Sequence, residues 1–135
     1  MTSTEAAPAD ETAAVEAVEL RIPADGAYLG VLRTATAGLA ARRDFTLDEI
    51  EDLRIAVDEA CALLLQQARP GAVLDCRFAL GNDDLTMSVR TSSDNPRAPR
   101  EDSLAWTLLT ALAGELTAEV DGDVITITVH KRRGA

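Results

Sequence analysis

Val18, Leu20 and Ile22 alternate with Glu19 and Arg21, a period of two that predicts a strand with one buried face. Pro23 and the Asp25-Gly26 pair end it. Leu29, Leu32, Thr36 and Leu39 then recur at helical spacing in an alanine-rich run that closes near Arg43. Thr46-Leu47-Asp48-Glu49 reads as a capping box, in which the hydroxyl accepts from a helix amide and the glutamate reaches back to the cap amide. Behind it Ile50, Leu53, Val57, Ala60, Cys61 and Leu64 form an apolar stripe, and Pro70-Gly71 stops this second helix. Leu74, Cys76, Phe78 and Leu80 alternate, as do Leu85, Met87 and Val89 across the turn at Gly81 to Asp84, which predicts an antiparallel hairpin. A polar stretch from Thr91 to Asp102 follows. A third helix is predicted from about Asp102 to Glu115, with Leu104, Leu108, Ala111 and Leu112 on one face. A second hairpin pairs Thr117 to Val120 with Val124 to His130, where Ile125, Ile127 and Val129 face one way.

The order is β-α-α-β-β-α-β-β. Mostly antiparallel strands with all three helices on one face make a two-layer α/β sandwich of the α+β type. The alternation implies that one sheet face meets the helices and the other meets solvent or a partner.

The chain has 135 residues, 47% of them hydrophobic, enough for one domain with a real core. Its net charge of −10 argues against direct nucleic-acid binding, since phosphate contacts need a basic field. Two cysteines suit a reducing cytosol, and a lone histidine excludes sites built on several of them. No apolar run approaches the roughly 20 residues that span a bilayer, and no signal-peptide pattern opens the chain, so a cytoplasmic location is expected. Residues 1–16 lack large hydrophobes apart from Val15, carry Glu5, Asp10, Glu11 and Glu16, and are expected to be a disordered acidic tail. The domain is expected over 17–130, with a basic tail at 131–135.

Nucleophilic and metal chemistry find little support. Ser92-Ser93 has no base near it in sequence, Asp83-Asp84 lacks the spacing of a calcium loop, and the cysteines fall on apolar faces. No glycine-rich phosphate loop occurs. The segment Asp52 to Cys61 stands out, with Asp58 and Glu59 at the exposed edge of the second helix. Asp48 to Glu59 holds six acids against one arginine.

The run Leu53-Arg54-Ile55-Ala56-Val57-Asp58-Glu59-Ala60 resembles the N-box helix of histidine-kinase-like ATPase domains (the GHKL or Bergerat fold). It is most similar to the small bacterial anti-sigma factors that double as serine kinases. The element order agrees over about residues 17–130, and Ala105-Trp106-Thr107-Leu108-Leu109-Thr110-Ala111-Leu112-Ala113 resembles the helix after the family's second glycine box.

The resemblance implies ATP and Mg²⁺ as cofactors, with Glu59 as catalytic base. The chain departs from it at the nucleotide positions. Leu63 stands where the family's asparagine helps hold Mg²⁺, and leucine offers a hard cation no oxygen. Thr91 and Ser93 replace the adenine-reading aspartate and the glycine of the first box, so only Asp94, three residues out of register, could restore the contact. Ser103-Leu104-Ala105 replaces the second glycine box, where side chains hinder backbone approach to phosphates. Phosphoryl transfer, which depends on metal positioning and phosphate electrostatics, is expected to be lost. An arginine on the family's first helix contacts both the sigma factor and its antagonist, and ungapped counting places Arg33 there. The implied partners are an alternative sigma factor and an anti-anti-sigma antagonist of the STAS type, with a homodimer through the first helix and sheet edge. The expected function is sigma sequestration with a degenerate ATP site. An active serine kinase and a sensor module that binds neither partner are the rival readings.

Overall fold

The computed structural model describes residues 16–134. Strand β1 (Glu16–Pro23) leads through a single 3-10 turn (Gly26–Tyr28) into helices α1 (Leu29–Arg42) and α2 (Leu47–Leu65). The hairpin β2 (Val73–Leu80) and β3 (Asp84–Ser92), helix α3 (Leu104–Ala113), and the hairpin β4 (Glu115–Asp121) and β5 (Val124–Arg132) follow. All strand pairs are antiparallel, in the order β1-β2-β3-β5-β4. This is the α+β sandwich the alternation implied.

The capping box forms as read. Thr46 Oγ1 accepts from the Glu49 amide at 3.1 Å, and Glu49 Oε1 accepts from the Thr46 amide at 2.8 Å. Such a cap contributes about 1 kcal/mol. It fixes where α2 starts, and hence which of its faces meets the sheet. Leu53, Ala56, Val57, Ala60, Cys61 and Leu64 are buried there. Opposite them lie Leu74, Cys76, Phe78 and Leu80 of β2, Leu85, Met87 and Val89 of β3, and Ile125, Ile127 and Val129 of β5. Burying a side chain such as Phe78 is worth roughly 1.5–3 kcal/mol. α1 covers the layer with Leu32, Thr36 and Ala40.

Two expectations need correction. Leu109 and Ala113 are the buried residues of α3, while Leu104 is 85% exposed and Leu108 41%. The sequence LAWTLLTALA is apolar on nearly every side, so spacing alone does not choose a face. The ends of the helix choose it. The Ser103 hydroxyl caps the Trp106 amide, and Gly114, at φ 93°, turns the chain directly into β4.

Nor do residues 131–134 form a free tail. Lys131 and Arg132 belong to β5, paired with Leu85 and Asp84. Lys131 is buried and its Nζ donates to the Leu112 carbonyl at 3.3 Å, a cation at the negative end of α3. The Arg133 amide donates to Asp83 O at 2.7 Å and its guanidinium to Arg43 O at 2.7 Å. The Gly134 amide reaches Glu49 Oε2 at 2.6 Å. With the Thr46 amide as the larger cause, these bonds hold the Glu49 carboxyl below its usual 4.5. Main-chain pairing thus carries β5 to Arg132, with Lys131 buried and Arg132 and Arg133 left exposed. At the other end Glu16 opens β1 and meets Arg43 at 3.1 Å, and the rest of the expected acidic tail lies outside the described residues.

The sheet face turned away from the helices is polar. Arg21, Asp75, Arg90 and Thr126 form one cross-strand row, and Glu19, Arg77, Ser88 and Thr128 the next. Opposite charges side by side in such rows stabilise an exposed face. At its lower end His130 sits between Asp84 (2.8 Å) and Glu115 (2.5 Å).

Candidate partner and nucleotide site

α1 and α2 form an antiparallel pair, and Arg33 and Asp58 meet across it. Arg33 Nη1 donates to Asp58 Oδ1 at 3.1 Å and to Oδ2 at 3.0 Å. The Arg33 side chain is 39% exposed and that of Asp58 34%. Arg33 is thus neither buried nor a freely waving surface cation. It is held at one corner by Asp58, the residue before the partly exposed Glu59.

The positions expected to meet a nucleotide are engaged within the protein. Leu63 packs against the core one turn beyond Glu59. Thr91 is buried, and its hydroxyl donates to Val73 O at 2.8 Å, a bond that ties β3 to β2. The buried Ser93 donates its amide to Asp123 O at 2.8 Å, and its hydroxyl accepts from the Asn95 amide at 3.2 Å. Ser103 Oγ accepts from the Trp106 amide at 3.2 Å and donates to Arg100 O at 2.7 Å. A bare helix N-terminus would attract an anion, but here the cap fills it, followed by Leu104 and the half-buried Ala105.

Asp94, the residue three out of register, is engaged in an ion pair. It pairs with Arg69 Nε at 2.8 Å, and Arg69 Nη2 also reaches Asp123 at 3.1 Å. These two carboxylates raise the Arg69 pKa, Asp94 being the larger cause. The segment between the two boxes is pinned a second time. Gln67 Nε2 donates to Arg97 O at 2.9 Å, and Gln67 Oε1 accepts from Arg97 N at 2.9 Å. This segment, about Asp94 to Asp102, stands where the resemblance places a lid, and its own hydrogen bonds hold it against the end of α2. Gln67 and Arg69 were missed in the sequence because neither lies in a motif. The polar run just before Pro70-Gly71 was the only signal.

Among the described residues no cluster of three His, Cys, Asp or Glu side chains stands ready for a metal ion. A cleft of about 520 Å³ lies on the open sheet face, lined by Arg21, Arg77 and Arg90 among others. A smaller one of about 210 Å³ lies by His130. Neither is lined by Glu59, Leu63, Thr91, Ser93, Ser103 or Ala105. Leu63 offers Mg²⁺ no oxygen, and the hydroxyls of Thr91, Ser93 and Ser103 are already bonded within the protein, a donor set that does not fit ATP with Mg²⁺. Burial pushes both thiols up, Cys76 to about 12. Among the described residues no helix is long and apolar enough to cross a membrane.

No family model matches the chain. It is 33% identical over 128 residues to the anti-sigma-F factor RsbW of Mycobacterium tuberculosis, covering 90% of this chain and 76% of that protein. The chain belongs to the RsbW family. The serine-protein kinase RsbW of Bacillus subtilis is 39% identical over 82 residues, 58% of this chain and 51% of the relative. The crystal structure of the RsbU and RsbW domains of a Mycobacterium tuberculosis protein superposes with a TM-score of 0.66 at 15% identity. That match covers 87% of this chain and 32% of the other, and it confirms the fold. This RsbW-family chain thus has the fold of its structural neighbour, while Leu63 packs on the core, Thr91 and Ser93 are hydrogen-bonded within the protein, and Ser103 caps α3.

Proposed function

We propose that this chain is an anti-sigma factor that sequesters an alternative sigma factor of RNA polymerase and is released by an anti-anti-sigma antagonist of the STAS type. The observation that carries the reading is the 33% identity, over 90% of the chain, to a protein named anti-sigma-F factor. Arg33 is the partner-binding residue in this reading, and its partly exposed side chain supports that role. Binding occludes the sigma surface that core polymerase needs, through an interface of ordinary size for a stable complex. The net charge of −10 favours a basic partner surface and speeds encounter at low salt. Leu63, Thr91, Ser93, Ser103 and Ala105 are degenerate nucleotide positions, and no ATP or Mg²⁺ is needed for sequestration.

The test is a pull-down of the full chain against each purified alternative sigma factor of the same genome. A stable complex with at least one is expected. No complex with any of them would sink the proposal.

A serine kinase acting on the antagonist is the second reading, favoured by the name of the Bacillus relatives and by Glu59. Incubation with labelled ATP and the antagonist decides it. No label transfer is expected, and transfer abolished by Glu59→Gln would establish the kinase instead.

A further inference from the structure

Asp58 precedes Glu59 on α2, and neither the nucleotide positions nor the core uses it. Both of its oxygens face one nitrogen of Arg33, Nη1, at 3.0 and 3.1 Å. That end-on arrangement is unusual in its consequence. A carboxylate that took the Nε–Nη2 edge would spend the pair of parallel donors through which arginine binds another carboxylate two-pronged. Here that edge has no hydrogen-bond partner among the described residues. Nη2 lies near Gly30, where an added Cβ would meet it at an ordinary contact distance of 3.6 Å. The two residues stand 25 apart in sequence and are joined only by the packing of α1 on α2.

We propose that Asp58 is a positioning residue, which holds Arg33 by Nη1 so that its Nε–Nη2 edge is presented to a carboxylate of the protein partner. The inference rests on the partner-binding role of Arg33 and adds to it the orienting group and the chemistry of the group received. An arginine fixed in this way loses less side-chain entropy on binding than a free one.

Two measurements decide the matter. The first needs no partner. Relaxation of the Arg33 Nε–H group in the free, full chain is expected to report a side chain as rigid as the backbone around it, and Asp58→Ala is expected to make it mobile. Equal mobility in both would overturn the positioning role. The second uses the purified sigma factor that passes the pull-down. Asp58→Ala is expected to weaken binding about tenfold, within the usual coupling range of contacting residues. Asp58→Glu should recover part of the loss, and Asp58→Ala should cost nothing further in an Arg33→Ala background. Tighter binding by Asp58→Ala would mean that Asp58 masks the arginine, and an undiminished cost in the Arg33→Ala background would mean that Asp58 touches the partner itself. Either result overturns the proposal. Should Arg33→Ala leave binding unchanged while the relaxation behaves as expected, the partner role of Arg33 fails and the ion pair's orienting geometry stands.

Discussion

Gln67→Ala tests whether the lid is closed by the protein alone. The wild-type side chain makes two hydrogen bonds of 2.9 Å to the main chain of Arg97, donating one and accepting the other. A neutral bond of this kind nets about 0.5–1.5 kcal/mol, and partial exposure places these at the lower end, about 1–1.5 kcal/mol for the pair. That corresponds to about a tenfold change in an opening equilibrium. The loss should be local, because the segment reports to α2 through Gln67 and Arg69 and contributes no residue to the apolar core. Hydrogen exchange of the Arg97 amide, followed by NMR, is the assay. Exchange should quicken about tenfold in the variant, while the Phe78 and Ile127 amides of the central strands keep their protection. The Ser93 amide, bonded to Asp123 O at 2.8 Å, should also be little changed. An unchanged Arg97 amide would refute the reasoning, since something other than Gln67 would then hold the lid.

Other expectations follow from the same contacts. Leu109→Ala should cost about 2–5 kcal/mol in urea unfolding, and Leu108→Ala within about 0.5 kcal/mol. The reverse order would put the other face of α3 in the core. His130 has its pKa raised above the usual 6.5, chiefly by its bond to Asp84, with burial opposing and Glu115 adding to the rise. The stability it contributes is therefore full below 6.5 and lost as pH rises through the raised folded value. Between pH 6 and pH 8.5 the urea midpoint should fall further for the wild type than for His130→Asn, and equal falls would contradict the assignment. Both thiols should resist a thiol-reactive disulfide reagent in the native state and react at once in denaturant, as expected for buried thiols with raised pKa.

The strands and the start of α2 could be read because their causes are local. A period of two places Leu74, Cys76, Phe78 and Leu80 on one face whatever the partner, and the Thr46–Glu49 box closes within four residues. The same holds for the N-box likeness around Glu59, which is a run of adjacent residues. α3 was legible as a helix but not in its rotation, because an apolar decapeptide leaves the choice to the cap and the turn at its ends. Lys131 looked like part of a tail because composition does not record that β5 keeps pairing with β3 beyond His130.

The sequence by itself determined the element order, the cap and the apolar faces of the sheet. Tertiary structure alone decided which charges meet. Arg33 with Asp58, Arg69 with Asp94 and Asp123, and Gln67 with Arg97 are separated by 25, 25, 54 and 30 residues. Polar contacts of that span depend on how α1, α2 and the lid pack, which is set by the shape of the buried layer and not by any local repeat.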